Sequence, residues 1–171
     1  SSMKQTRKGR TKVSEKHIRP TWDEYFIKVM QAVAERATCD RGRSGCVIAR
    51  DHQILVTGYV GSPPGQPHCD DVGHEMHKVI NDDGVVSEHC IRTIHAEQNA
   101  LIQAARRGVA VYGADLYCQM TPCYTCAKLI VAAGIKRVVA YKDYQRAEKS
   151  RKLFKDAGVL YELIHTEIQK Y

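Results

Sequence analysis

A histidine, a carboxylate two positions later and a pair of cysteines with two residues between them carry the chemistry that this sequence announces. His95, Ala96 and Glu97 form one half, and Pro122, Cys123, Tyr124, Thr125 and Cys126 the other. Imidazole and thiolate are preferred donors for zinc, and three protein donors leave the fourth tetrahedral position to water, as in catalytic rather than structural sites. Zinc brings the pKa of its water towards about 7, and a carboxylate alongside can take that proton and pass it on. His95, Cys123 and Cys126 are therefore candidate ligands of a catalytic Zn2+, and Glu97 is the candidate catalytic acid–base. No matching fourth ligand sits beside either half, which argues against a zinc that only staples the fold. On a regular helix Glu97 would point about 200° away from His95, so the two can share a site only where the helix begins in a favourable turn.

The chain has seven cysteines, an odd number that no complete disulfide scheme absorbs. With no apolar leader in the sequence, metal explains the thiols better than disulfides do, and a reducing, cytoplasmic compartment is expected. Cys46 and Cys118 lie in alternating apolar stretches and read as small buried residues. Cys39, Cys69 and Cys90 remain, with His68, His74, His77 and His89 around a long polar stretch. A second, structural Zn2+ on Cys39, Cys69, Cys90 and His74 would explain how that stretch is anchored.

The elements that must position these groups can be read from periodicity. Thr21 followed by Glu24 is a capping box, and Trp22, Tyr25, Phe26, Val29, Met30 and Val33 recur at helical spacing, so this face is expected in the core. Residues 46–50 and 54–60 read as an antiparallel hairpin. From Gly61 to about His89 the chain is polar and reads as a long loop insertion, with a short amphipathic hint at 76–80. Beyond it the pattern predicts helix at 95–107, strand at 115–119, helix at 123–133, strand at 137–141, helix at 146–157 and strand at 159–163. Strands alternating with helices argue for a single α/β domain over residues 20–171. No run is long and apolar enough to cross a bilayer.

The net charge of +7 invites a nucleic-acid reading. Residues 1–19, however, hold seven basic side chains and one acid, leaving nineteen basic and eighteen acidic groups in the rest. The excess belongs to a basic N-terminal arm with too few apolar residues to fold alone, and it is read as a solvated tail. A nucleic-acid partner is not expected of a nearly neutral body.

The two halves together make the H-x-E…P-C-x-x-C pattern of zinc nucleobase deaminases. From Arg19 to about Tyr161 the chain resembles the deoxycytidylate (dCMP) deaminases of the cytidine-deaminase-like superfamily, especially bacterial competence-associated and phage members. The resemblance is carried by Ala37-Thr38-Cys39-Asp40-Arg41, by Gly58-Tyr59-Val60-Gly61-Ser62-Pro63, by His68-Cys69-Asp70, and by the runs 89–100 and 122–128. It implies a three-layer α/β/α fold with a five-stranded mixed sheet, assembled as a homo-oligomer, commonly a hexamer. It further implies hydrolysis of dCMP to dUMP and ammonia, supplying thymidylate synthesis, with Glu97 carrying a proton to the ring nitrogen and then to the departing amine. A second zinc site and allosteric control by dCTP and dTTP with Mg2+ also belong to what it implies. The chain departs from the pattern at Val60, where relatives usually have an Asn used in nucleotide recognition. Valine neither donates nor accepts, so the hydrogen-bonding scheme and the effector response are expected to differ, and a modified or triphosphorylated cytosine nucleotide stays open as substrate. Arg41, Arg43 and Lys142 are the candidate phosphate donors, and Tyr124 and Tyr144 the candidate stacking residues. The alternative enzyme is an RNA or tRNA base deaminase that uses the basic arm. The alternative outside catalysis is a zinc- or nucleotide-binding module, which the presence of Glu97 disfavours.

Overall fold

A computed structural model describes residues 15–165 and the backbone of 168–169. Most of the basic arm expected over residues 1–19 lies outside the described residues. Glu15 to Arg19 are exposed and carry neither helix nor strand.

Helix α1 runs Trp22–Ala34, with the Glu24 backbone N–H donating to the Thr21 hydroxyl at 3.2 Å. Strands β1 (Gly45–Arg50) and β2 (Gln53–Tyr59) form the expected hairpin. Asp51 and His52 between them have φ of 53° and 61°, the left-handed pair that a two-residue type I′ turn requires. One expectation fails here. Phe26, Ile27, Met30 and Ala34 are buried, but Trp22 is 50% exposed and Tyr25 40% exposed. The Trp22 indole lies against the β1–β2 turn, stacked on His52 with centroids 4.2 Å apart.

The stretch from Gly61 to His89 also differs from its reading as a loop. It contains a short helix α2 (Cys69–Val72) and an antiparallel hairpin of β3 (Met76–Ile80) and β4 (Val86–Cys90). Most of its strand residues are exposed, so the two strands satisfy each other's backbone groups without burying an apolar face, and periodicity carries little trace of them. Asp82 and Asp83 at the hairpin tip pair with Lys149 at 2.8 Å and Arg146 at 3.3 Å.

Helix α3 (Ala96–Arg107), β5 (Asp115–Met120), α4 (Tyr124–Ala132), β6 (Arg137–Tyr144), α5 (Glu148–Asp156) and β7 (Leu160–Leu163) follow, each within a few residues of its predicted place. The main sheet has the order β2-β1-β5-β6-β7, with a two-residue β8 (Ile168–Gln169) beside β6. β1 is antiparallel to β2 and β5, whereas β5, β6 and β7 are parallel. The five-strand path is thus mixed, as the resemblance implies.

Central strands bury both faces and so alternate between two cores. Val47, Ala49, Tyr117 and Val139 pack under Phe26, Ile27 and Met30 of α1. Cys46, Ile48, Leu116, Cys118, Val138 and Ala140 face the opposite way, against residues of α3, α4 and α5 such as Ala100, Ile130 and Phe154. One helix on one face and three on the other make the three layers. Cys46 and Cys118 are fully buried and lie opposite each other across β1 and β5. Ala96, Ala100 and Ala104 let α3 approach the sheet closely. Gly58 on β2 completes that fit, since a Cβ there would lie 2.5 Å from the Ala96 carbonyl oxygen.

Candidate active site

Two helix starts converge at one cavity. His95 is the N-cap of α3 and Cys123 the N-cap of α4, both with extended backbone, while Cys126 lies in the first turn of α4. The backbone N–H of His95 donates to Gln98 Oε1 at 3.0 Å, which fixes the helix entry. His95 Nδ1 lies 3.3 Å from Cys126 Sγ and 3.6 Å from Cys123 Sγ. Tetrahedral zinc with its usual bond lengths to nitrogen and sulfur spaces these atoms roughly 3.5 Å apart, so the donor set fits that ion in type and in spacing.

The cap position resolves the problem of Glu97. His95 is not a helical residue, so the 200° separation of a regular helix does not apply, and His95 and Glu97 both line the cavity. Glu97 is 6% exposed, and burial pushes its carboxyl above the ordinary value, against the pull of His95. A hydrogen bond from Cys126 and the neighbouring His95 hold Cys123 down at about 4, despite burial. Cys126 is correspondingly pushed up by that same bond and by burial. The bond to Cys123 raises His95. Two sulfurs and an imidazole that share protons this tightly are a donor set in which a divalent cation replaces the protons.

Cys39, Cys69, His74 and Cys90 form a second group, with donor atoms all within 4.8 Å of one another. Cys39 Sγ is 3.4 Å from His74 Nδ1, and Cys69 Sγ is 3.5 Å from Cys90 Sγ. These spacings also suit a tetrahedral ion with its protein donors complete. His74 turns its other nitrogen to Asp40 at 2.9 Å, the carboxylate support common behind ligating histidines. Burial pushes the Cys69 thiol up to about 12. Burial opposes ionisation of Cys90 too, but hydrogen bonds from the backbone at Arg92 and Glu75 and from the side chains of Cys69 and His74 together outweigh it and hold that thiol at about 7.

The cavity has a volume of about 410 Å³ and is walled by parts of both donor groups. Of the candidate substrate contacts it takes in Arg41 and Tyr144, and it leaves Arg43, Lys142 and Tyr124 outside its lining. Arg43 is paired with Asp70 at 2.9 Å. Tyr124 is 43% exposed, with Lys128 Nζ 5.0 Å from its ring centroid. Val60 lies in the wall, so the departure from the usual Asn falls on the cavity itself. His89 also lines it, a residue that sequence reasoning placed only near the second donor group. Asn99 went without a role there, yet its Nδ2 donates to the Tyr59 carbonyl at 2.7 Å and ties α3 to the strand end before Val60.

Comparison with known proteins agrees with this arrangement. Residues 20–142 match the family described as the cytidine and deoxycytidylate deaminase zinc-binding region. The chain is 39% identical over 142 residues to the deoxycytidylate deaminase of Saccharomyces cerevisiae, covering 83% of this chain but only 44% of that enzyme, less than half its length. It is 38% identical over 128 residues to the deoxycytidylate deaminase of Mycobacterium phage D29, covering 73% of this chain and 98% of that one. A crystal structure of dCMP deaminase from the cyanophage S-TIM5 in complex with dCMP and dUMP superposes with a TM-score of 0.67 at 27% identity, over 86% of this chain and 99% of that chain. With His95, Glu97, Cys123 and Cys126 all inside the matched span, the chain belongs to the cytidine and deoxycytidylate deaminase family.

Proposed function

We propose that this chain is a zinc-dependent hydrolase that converts dCMP to dUMP and ammonia. The observation that carries the reading is the meeting of a buried carboxylate and a three-donor metal site in one cavity of about 410 Å³, a size suited to a small-molecule ligand. Relatives named deoxycytidylate deaminase, and a structural neighbour holding dCMP and dUMP, supply the substrate.

Zn2+ held by His95, Cys123 and Cys126 would act as a Lewis acid and acidify water in the cavity. The remaining work falls to Glu97. It takes a proton from water, delivers it to the ring nitrogen beside carbon 4 of cytosine, and then serves the exocyclic amine as the carbon–nitrogen bond breaks. One water is consumed, a carbonyl replaces the amino group, and ammonia leaves. A carboxyl raised by burial suits a carrier that must both accept and return a proton near neutral pH.

The proposal includes a second Zn2+ on Cys39, Cys69, His74 and Cys90 that tethers the β3–β4 hairpin, supported by the spacing of those donors. It treats residues 20–171 as one deaminase unit in a cytoplasmic setting, which the seven free cysteines favour. No helix among the described residues is long and apolar enough to cross a membrane. Hexameric assembly and control by dCTP and dTTP with Mg2+ rest on the resemblance alone.

An ammonia-release screen over dCMP, dCTP, CMP, deoxycytidine and 5-modified dCMP, each with and without dCTP and dTTP, tests the reading. Fastest release from dCMP is expected. No release from any of them would overturn deamination, and release from another nucleotide alone would move the substrate.

A further inference from the structure

β5 and β6 end side by side at the cavity, and one carboxylate oxygen gathers the chain there. The Thr121 backbone N–H donates to the Lys142 carbonyl at 2.9 Å, one step beyond the last pair of the β5–β6 ladder, Met120 with Lys142. Thr121 is fully buried, and its hydroxyl donates to Asp143 Oδ1 at 3.0 Å. The same oxygen accepts from the Tyr144 backbone N–H at 2.8 Å and from Arg151 Nη1 on α5 at 2.8 Å. The Tyr161 hydroxyl on β7 lies 2.6 Å from Thr121 Oγ1. A carboxylate only accepts, so the single Thr121 proton goes to Asp143 and Tyr161 is the donor to Thr121. The ends of β5 and β6 are thus tied to α5 and β7 through one threonine and one aspartate.

What hangs from this junction is the wall that carries a metal donor. Only Pro122 separates Thr121 from Cys123. Its ring fixes φ and it is fully buried, so a shift of Thr121 reaches Cys123 with little slack. Met120, Tyr144 and Ala147 form a small buried cluster against which Cys123 packs. Thr121, Pro122, Cys123 and Tyr144 all line the cavity. Valine would fill the space of Thr121 as well as threonine does, and a buried hydroxyl is costly without partners. The hydroxyl therefore serves direction: a satisfied buried network is rigid and admits one arrangement.

We propose that Thr121 and Asp143 are positioning residues for deamination, their hydrogen bond fixing where Cys123 stands relative to His95 and Glu97. The assignment rests on the deaminase reading above. Neither residue belongs to a metal donor group, so both act through Cys123 and the wall beside it.

The test sets Thr121→Val, which keeps the shape and removes the hydroxyl, against Thr121→Ser, which keeps the hydroxyl. Asp143→Asn repeats the test if Thr121→Val does not fold. Asp23→Asn, which breaks a pair with Arg137 at the opposite end of β6, is the comparison for lost stability alone. Release of zinc to a chromophoric chelator, followed in the phase that Cys123→Ser abolishes, reads the site without turnover. Thr121→Val is expected to speed that phase roughly 10- to 100-fold. It lowers kcat and kcat/KM for dCMP together, the mark of lost transition-state geometry, by a similar factor. Thr121→Ser recovers most of both losses, and Asp23→Asn lowers the thermal midpoint while moving neither. A Thr121→Val protein that matches the parent in zinc release and kcat, or that only raises KM, would overturn the assignment, as would a Thr121→Ser protein no better than Thr121→Val. Faster zinc release from Thr121→Val beside a parent that releases no ammonia refutes the deaminase reading and leaves the positioning of Cys123 standing.

Discussion

Gly58→Ala tests the geometry on which the site depends. A Cβ at this position would lie 2.5 Å from the Ala96 carbonyl oxygen and 2.9 Å from Ala100 Cα, well inside the roughly 3.5 Å at which non-bonded carbon atoms rest. Both obstructing atoms are backbone of α3, so no side-chain rotation relieves them and the helix must move by a sizeable fraction of an ångström. Overpacking usually costs about 1–3 kcal/mol, and the rigid neighbours put this case at the upper end. For a chain of this length each kcal/mol shifts the melting midpoint by about 2–4 °C, so a fall of roughly 6–12 °C is expected. Ala96 lies between His95 and Glu97, so the same displacement moves a metal donor and the proton carrier together, and misplacement near 1 Å can cost about 10²-fold in rate. Thermal unfolding and initial rates at saturating zinc measure both effects. Gly65→Ala is the comparison: its φ is +80° and nothing lies within 4 Å, so it should lose about 1–2 kcal/mol to backbone strain and keep its turnover. A Gly58→Ala protein that melts within about 2 °C of the parent and turns over normally would refute the close-packing argument.

Glu97→Gln should keep its full zinc content and lose roughly 10²- to 10⁴-fold in kcat; normal turnover with normal zinc would remove Glu97 from proton transfer. Cys69→Ser should lower bound zinc by one equivalent and speed amide exchange across β3 and β4, and unchanged zinc content would dismiss the second site. Asp23→Asn removes a carboxylate that accepts from Arg137 at 2.9 Å and from the Tyr117 hydroxyl at 2.7 Å. The hydrogen bond from Arg137 holds the Asp23 carboxyl below its ordinary value, against the effect of burial. A depressed folded-state value stabilises above the unfolded-state value of about 3.9 and is lost as pH falls through the lower one. Urea midpoints of parent and Asp23→Asn should therefore differ at pH 7 and converge below about pH 4; a gap that widens in acid would contradict the pairing.

The main sheet was readable because its residues obey local rules. Thr21 and Glu24 mark a helix start, the β-branched runs on either side of Asp51 and His52 mark a hairpin, and the short continuous apolar runs 116–118 and 138–141 mark strands buried on both faces. The donors were readable for a related reason, since a metal ion demands particular atoms and both halves of the pattern keep short spacings. The β3–β4 hairpin was not readable. Lys78 faces Glu88 and His77 faces His89 across it, pairs that give no apolar period, and its anchors are thiols and ion pairs from distant parts of the chain. The different surroundings of Arg41 and Arg43 were equally invisible, because Asp70 reaches one of them from another segment. Trp22 was misplaced because helical spacing tells which side of a helix is apolar but not where the sheet beneath it stops.

Cys90 and His95 stand five positions apart in one short segment, which is bridged back to Gly61 at Ile94. That connectivity wires two donor clusters in series, so slack introduced at one is transmitted along the peptide to the other. Neither cluster belongs to the interior under α1 or to the one under α4 and α5. Under metal scarcity the barrier to failure is therefore uneven: the chain should fall silent as an enzyme while its far-ultraviolet ellipticity stays intact, and repletion with zinc should restore turnover without a refolding step.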